Sequence, residues 1–404
     1  MEKRLKVLMF GWEFPPFNNG GLGTACYGLT KELSKYADIT FVVPHLPENV
    51  EAEYVKLMSV NVKKVKFIDT PLIAYSSEED YGKAINMMSE KKKSLYGSTL
   101  FFEVERYAEI AADIARSDDF DIIHAHDWMT YQAGVAAKNA INKPLVVHTH
   151  ATEFDRTGMQ KINEEVYEIE KQGMEKADIV MAVSNYTKNI IAENYEIPRK
   201  KIIVIHNAVD LESKIHAENA RKSGKTVLFL GRVTLQKGPD YFVELANRVL
   251  KFDKDVQFII AGDGDMLPKC IDRVAELGLG DKVLFSGFLQ GEDVDRAYQM
   301  ADLFVMPSVS EPFGITPLEA MKNNVPVIIS NSSGVSEVLN NALKVDFWDI
   351  NEMTNKIISV LNNKAIAEVL SAEGSKEVSK ITWDKPAKTV YKEYDQLMNK
   401  RLKW

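Results

Sequence analysis

Short, β-branched apolar runs alternate with amphipathic segments along most of this chain, and that rhythm leaves few folds open to it. In the first half the runs are Lys6–Phe10, Ile39–Val43, Ile122–His124, Leu145–His148, Ile179–Val183 and Ile202–Ile205. In the second half they are Val227–Leu230, Phe258–Ala261, Val283–Ser286, Leu303–Met306 and Val327–Ser330. Runs of four or five apolar residues suit strands buried on both faces, and stretches such as Thr24–Tyr36, Phe102–Arg116 and Tyr241–Phe252 suit the helices that cross between them. Each half therefore reads as a doubly wound, Rossmann-like α/β sheet. The length of 404 residues accommodates two domains of ~100–200 residues, each with its own core. Residues 212–225 are polar, rich in Lys, Ser and Glu, and lack an apolar period, which marks an interdomain linker. The expected domains are residues 1–211 and 226–382. A final helix over 383–404 has Asp384 as cap, Pro386 in its first turn, and Val390, Tyr394 and Leu397 at helical spacing. It is expected to cross back to the N-terminal domain.

Composition narrows the class of protein. No apolar run approaches the ~20 residues of a spanning helix, and MEKRLKVLMF runs into a strand without a leader signature. A net charge of −8 disfavours broad binding to nucleic acid or anionic membranes while allowing a local basic pocket. Cys26 and Cys270 have no paired spacing, so neither a zinc site nor a disulfide framework is expected. A cytoplasmic protein with no nucleic-acid partner and no transmembrane segment follows; oligomeric state is not legible. The role of residues 48–93 stays open, with Glu90–Lys93 read as a solvated helix face.

Four segments carry candidate chemistry. After the first strand, GWEFPPFNNGGLG offers Pro15 and Pro16 to stiffen a loop and Gly20, Gly21 and Gly23 to bring backbone close to a ligand, with a helix starting near Thr24. A tight strand-to-helix turn needs nothing more. Neither Gly21-x-Gly23 nor Gly262-x-Gly264 has the third glycine of a dinucleotide fingerprint, because Cys26 and Leu267 stand there. Next, Gly231-Arg232 and Lys237-Gly238 set two cations between a strand end and a helix start, a match for a diphosphate, although solvated surface residues look the same. Third, EPFGITPLEAM places Glu311 in a loop and Glu319 in the following helix; carboxylates accept sugar and ribose hydroxyls, and the amides near Gly314 suit phosphate. A glycosidase pair is the other reading, but this spacing does not secure the short separation it needs. Finally, four of the seven histidines lie in His124-Ala-His126-Asp127 and His148-Thr149-His150, at the carboxyl ends of strands where open sheets bind ligands. Each His-x-His pair points both rings to one face, which by itself fixes no metal.

In this order and at these spacings, the segments resemble retaining GT-B glycosyltransferases, the branch that includes glycogen and starch synthases, sucrose and sucrose-phosphate synthases and bacterial mannosyl- and glucosyltransferases. GWEFPPFNNGGLG and HAHDW are most similar to the glycogen-synthase side. The resemblance implies two Rossmann-like domains facing across a cleft, with the C-terminal helix returning to the first. It implies backbone contact of Gly20 and Gly21 with the donor phosphates, and His150 beside the transferring sugar, with Asp127 toward the reaction centre or acceptor. It further implies Gly231, Arg232 and Lys237 on the diphosphate, Glu311 on the donor sugar and Glu319 on the ribose. The amides of Phe313, Gly314 and Ile315 complete the donor site, and the Phe288 loop approaches the base. Two positions depart from the pattern. His148 stands where the family has a hydroxyl or small residue, and Asn18 stands where glycogen and starch synthases carry a lysine.

The expected activity is transfer of a hexose, glucose above others, from ADP- or UDP-glucose to a carbohydrate hydroxyl, an α-glucan primer in particular. No metal and no cofactor is expected, and the sugar's configuration is retained by same-face substitution. A small sugar, sugar phosphate or lipid-linked acceptor, a nucleotide-sugar epimerase, and a sensor without catalysis are the competing readings. Pyridoxal-dependent phosphorolysis lacks a lysine in a suitable motif.

Overall fold

The computed structural model describes residues 4–13, 20–44, 64–70, 72, 78–88, 96–211 and 224–401. Pro15, Pro16 and Asn18 of the first loop, most of residues 48–93 and residues 212–223 of the expected linker lie outside these. The chain divides into two compact units. One comprises Met1–Glu153, Asn163–Asn207 and Trp383–Trp404; the other comprises Phe154–Ile162 and Ala208–Thr382.

The first unit is built on seven parallel strands: β1 (Lys6–Phe10), β2 (Asp38–Pro44), β3 (Lys64–Ile68), β4 (Ile122–His126), β5 (Leu145–Thr149), β6 (Ile179–Ala182) and β7 (Ile202–Val204), in the order β3-β2-β1-β4-β5-β6-β7. Every residue of β4 and β5 is buried, as expected for strands covered on both faces by crossover helices. The helices start where side chains cap them. Thr99 accepts from the Phe102 amide at 3.3 Å, Asn163 from Glu165 at 3.0 Å, and Ser184 from Thr187 at 2.9 Å. β3 was not anticipated from its mixed Lys-Val-Lys-Phe-Ile pattern; it takes the edge position, where one face and one flank need no apolar cover.

The second unit has six parallel strands: β8 (Lys225–Leu230), β9 (Val256–Ala261), β10 (Val283–Gly287), β11 (Leu303–Met306), β12 (Val327–Ser330) and β13 (Leu343–Val345), in the order β10-β9-β8-β11-β12-β13. Its core gathers Val227 and Phe229 of β8, Phe258 and Ile260 of β9, and Leu303 and Val305 of β11 beneath the helix Pro239–Val249, which contributes Phe242, Leu245 and Ala246. Both sheets are doubly wound, and the GT-B pair of Rossmann-like sheets expected from the sequence is present.

The helix Asp384–Arg401 belongs to the first unit, where it packs against the helix Gly21–Leu33. The contact depends on Gly28. A Cβ there would lie 2.1 Å from Nε1 of Trp383, a side chain only 5% exposed. Tyr394, fully buried, reaches from the same helix to His124. Gly28→Ala is therefore expected to lower the stability of the chain by about 1–3 kcal/mol in urea unfolding. The loss should shrink in a Trp383→Phe background; an equal loss in both backgrounds would mean that the indole is not what the methyl meets.

Candidate functional site

All strands of the second sheet run in one direction, so the loops after them emerge at one edge. The strand order reverses between β8 and β11, the place where open α/β sheets leave a crevice for ligands. Gly231 and Arg232 follow β8, Phe288 follows β10, and the Ser308–Ile315 loop follows β11. Two glycines allow the close approaches. Gly238 has φ +65°, and a Cβ on it would sit 2.2 Å from the carbonyl oxygen of Pro307; Gly314 has φ +100°, with the Glu311 side chain 3.1 Å from its Cβ position.

The turn that carries Lys237 is sewn to the loop that carries Glu311. The amides of Val309 and Ser310 donate to the carbonyl of Gln236 at 3.0 and 3.4 Å, while Arg232 donates to the Gln236 side chain at 3.0 Å. Lys237 forms an ion pair and hydrogen bond with Glu311, to which Ser308 also donates at 3.3 Å. Glu311 is 5% exposed, and its backbone bridges Ser333, accepting from Gly334 at 2.9 Å. Among the described residues the amides of Gly314 and Ile315 make no hydrogen bond within the protein. Two of the expected cations, the loop acid and two open amides thus come together. Phe288 stands 48% exposed at the end of β10. Glu319, half-buried in the helix Thr316–Lys322, is held apart from the ion pair by its own bond from the Tyr298 hydroxyl at 2.9 Å; desolvation pushes its carboxyl pKa up.

Asp155 was not anticipated. It is fully buried and accepts from Ser310 at 2.6 Å, so a residue far off in sequence supports the loop next to Glu311. Gly158 packs beside Leu235 and Val309 in the same unit. Nothing in the polar sequence from 154 to 162 signals that it joins the second unit.

In the first unit the order reverses between β1 and β4. Gly20 is the N-cap of the helix Gly21–Leu33 in an extended conformation, and the Cβ position of Gly21 faces open space. The amide of Gly23 in the first turn donates to the carboxylate of Glu13 at 3.3 Å, a residue that no spacing in the sequence marks. Glu13 and Asp127 both lie close enough to Cys26 to push its thiol pKa up, after burial, which is the larger cause.

Asp127 holds the end of β5. Its carboxylate accepts from the amides of His150 at 2.6 Å and Ala151 at 3.2 Å, and its own amide donates to His148 at 2.9 Å. Its backbone, at φ +59° and ψ +169°, occupies a region that belongs to glycine. Asp127 is thus placed to position His150 rather than to stand free. His148 lies inside β5 at 1% exposure, whereas His150 is the first residue beyond it and half-buried. The imidazole of His150 meets that of His126 at 3.0 Å, and burial pushes its pKa down to about 3, so the ring is neutral at physiological pH.

The strain at Asp127 is testable. Asp127→Ala loses the two amide bonds and keeps the backbone strain, whereas Asp127→Gly loses only the bonds. The glycine variant is expected to be the more stable by about 1 kcal/mol in urea unfolding, after allowance for glycine's entropy in the unfolded chain. The reverse order would mean that the backbone is at ease there.

Residues 19–213 match Glycosyltransferase Family 4, and residues 211–377 match the Glycosyl transferases group 1 family. An uncharacterized glycosyltransferase of Methanocaldococcus jannaschii is 30% identical over 98% of this chain and 100% of its own length. A glycogen synthase of Mycobacterium tuberculosis is 25% identical over 90% of this chain and 88% of its own. Among solved structures, a sucrose-phosphate synthase from Thermosynechococcus elongatus superposes with a TM-score of 0.78 at 19% identity, covering 98% of this chain and all of that one. No helix among the described residues is long and apolar enough to cross a membrane. With the sheet order, the strand-end cations and a full-length relative in agreement, the chain belongs to the GT-B glycosyltransferase superfamily.

Proposed function

We propose that this glycosyltransferase moves a hexose, glucose above others, from a nucleoside diphosphate sugar to a carbohydrate hydroxyl with retention of configuration, and that an α-glucan primer is the acceptor. The observation that carries the reading is the assembly at the β8–β11 reversal: Arg232 and Lys237 beside Glu311 and the open amides of Gly314 and Ile315. A leaving diphosphate carries about two to three negative charges, and preorganised cations and amides stabilise it as the anomeric bond breaks. Arg232 and Lys237 supply that charge, so no divalent metal is assigned to the diphosphate. Glu311 then exchanges part of its pairing with Lys237 for a hydroxyl of the donor sugar, and Glu319 takes the ribose. His150, neutral and held by Asp127, offers a ring nitrogen to the transferring sugar. Retention follows if the leaving phosphate takes the proton of the incoming hydroxyl on the same face. ADP- and UDP-glucose remain the favoured donors, and a cytoplasmic location accords with the substrates.

A second reading is transfer to a small sugar or sugar phosphate. It is favoured by Asn18, which replaces the lysine of glycogen and starch synthases, and by the likeness to a sucrose-phosphate synthase. Incubating the protein without metal with ADP-, UDP- and GDP-sugars against glycogen, maltooligosaccharides, simple sugars and sugar phosphates separates the two. Chain extension from ADP- or UDP-glucose supports the glucan reading, and product on small acceptors alone replaces it with the second. Donor conversion without acceptor would identify an epimerase and overturn both.

Arg232→Ala is expected to lower kcat/KM by roughly 30-fold to several thousand-fold, the equivalent of about 2–5 kcal/mol of transition-state stabilisation, with circular dichroism unchanged. A wild-type rate would remove Arg232 from the leaving-group role. Glu319→Gln is expected to raise the donor Kd by about tenfold, the worth of one charge-assisted hydrogen bond, with a smaller change in kcat. An unchanged Kd in calorimetry would make Glu319 a structural partner of Tyr298.

A further inference from the structure

Four histidine rings lie together in the first unit, and one pair among them is joined differently from the rest. His126 of β4 packs against the near-parallel rings of His124, 4.3 Å away at 20°, and His148, 5.3 Å away at 27°. Toward His150 the planes are tilted by 32° and the centroids are 5.2 Å apart, yet His126 Nδ1 and His150 Nε2 approach to 3.0 Å. A nitrogen contact that much shorter than the centroid separation sets these two rings edge to edge, the geometry of an N–H···N hydrogen bond. His126 is 0% exposed and covered by its neighbours, so the plane of its ring is fixed.

Burial pushes the pKa of both imidazoles down, so each ring is neutral and has one N–H and one bare nitrogen. One ring donates in the shared bond and the other accepts, and that choice fixes where the second proton sits. If His150 Nε2 donates, the second proton lies on Nε2 of His126; if His126 Nδ1 donates, it lies on Nδ1 of His150. Both of those outer nitrogens are buried without a hydrogen-bond partner among the described residues. They differ in place. His126 is inside β4, where an N–H lacking an acceptor stays unsatisfied whatever binds. His150 is the first residue beyond β5 and half-buried, at the strand-end edge where open sheets take ligands. Only there does an incoming group supply the missing acceptor.

We propose that His126 donates from Nδ1 to Nε2 of His150 and thereby holds His150 as the Nδ1–H tautomer, a hydrogen-bond donor to an oxygen of the bound sugar. The inference rests on the reading that His150 stands beside the transferring sugar. His126 is then a positioning residue. It touches no substrate, and through one bond it settles which nitrogen of His150 carries the proton, as the partner of one imidazole nitrogen does for the other. Asp127 fixes the same residue from the backbone side, accepting from the amides of His150 at 2.6 Å and Ala151 at 3.2 Å. The buried Nδ1–H gains its first partner when a hydroxyl oxygen arrives. Held neutral by burial, the ring orients that hydroxyl rather than carrying a proton. A donor sugar lacking the hydroxyl leaves the N–H unpaired, so the same bond discriminates between sugars.

The full chain labelled with ¹⁵N-histidine would be read at neutral pH in two-bond ¹H–¹⁵N correlation spectra, which tell the protonated from the bare nitrogen of each ring; His150→Gln identifies the His150 signals. The wild-type ring is expected to carry its proton on Nδ1, and His126→Phe to move it to Nε2 or to a mixture of the two. In the transfer assay His126→Phe is expected to lower kcat roughly tenfold, the worth of one ordinary hydrogen bond, with a smaller change in donor KM. His126→Asn, whose carboxamide N–H takes the place of Nδ1–H, is expected to recover most of that loss. Should His126→Phe fail to fold, the smaller His126→Leu replaces it, and the wild-type spectrum stands without either. A wild-type His150 protonated on Nε2, a tautomer unchanged once the His126 ring is removed, or His126→Asn as slow as His126→Phe each overturns the proposal. The spectra need no substrate and so stand apart from the transfer reading. The expected tautomers with His150 signals unmoved by saturating ADP- and UDP-glucose would overturn the place of His150 at the sugar, not the bond that sets its proton.

Discussion

A parallel strand cannot be joined to its neighbour by a tight turn; the chain must cross the face of the sheet and start again from the same end. Both sheets here are parallel throughout, and most of the architecture follows. Helices cover both faces, central strands such as β4, β5 and β12 are buried along their whole length, and every strand delivers its carboxyl end to one edge. Chemistry-bearing residues distant in sequence therefore meet without any long-range design beyond the winding itself: Lys237 after β8 and Glu311 after β11, or His126 on β4 and His148 on β5.

The polar groups at these edges are held in place by partial neutralisation rather than by exposure to water. Lys237 and Glu311 pair at 20% and 6% side-chain exposure, where either charge alone would carry a desolvation cost of several kcal/mol. Ser308 and the Ser333 bridge supply Glu311 with further bonds. Asp155 does the same for Ser310 from beneath. In the first unit Glu13 fills the turn of a helix whose amides read, in sequence, as open to phosphate. The two edges thus differ: the second unit keeps the amides of Gly314 and Ile315 open beside cations that are already paired, and the first has committed the Gly23 amide to the carboxylate of Glu13.

Much of this was legible in the residues. Buried strands announce themselves as apolar runs, and the motifs at their ends are local, so the segments that carry Arg232, Lys237, Glu311, Gly314 and Glu319 stand out in the sequence, while their roles come from the family resemblance. What escaped depends on packing between distant segments. β3 and β13 occupy sheet edges and carry lysines; their pattern resembles any half-exposed stretch. The membership of Phe154–Ile162 in the second unit rests on Ser310, Leu235 and Val309, none of which marks the segment in sequence. Glu13 and Asp127 were visible as acids, but not that they would satisfy amides of Gly23 and His150, because a carboxylate's partner is set by where the backbone turns.

The first unit is assembled from segments on both sides of the second in the sequence. A polypeptide leaves the ribosome in order, and domains fold as their residues emerge. When Ala208–Thr382 is complete, the hollow over Gly28 still lacks Trp383 and His124 still lacks Tyr394. The second unit therefore has its whole sheet at hand while the first waits with an apolar groove along Gly21–Leu33 uncovered. The nascent first unit is the one that needs protection from aggregation, and it closes only after the second unit has been made.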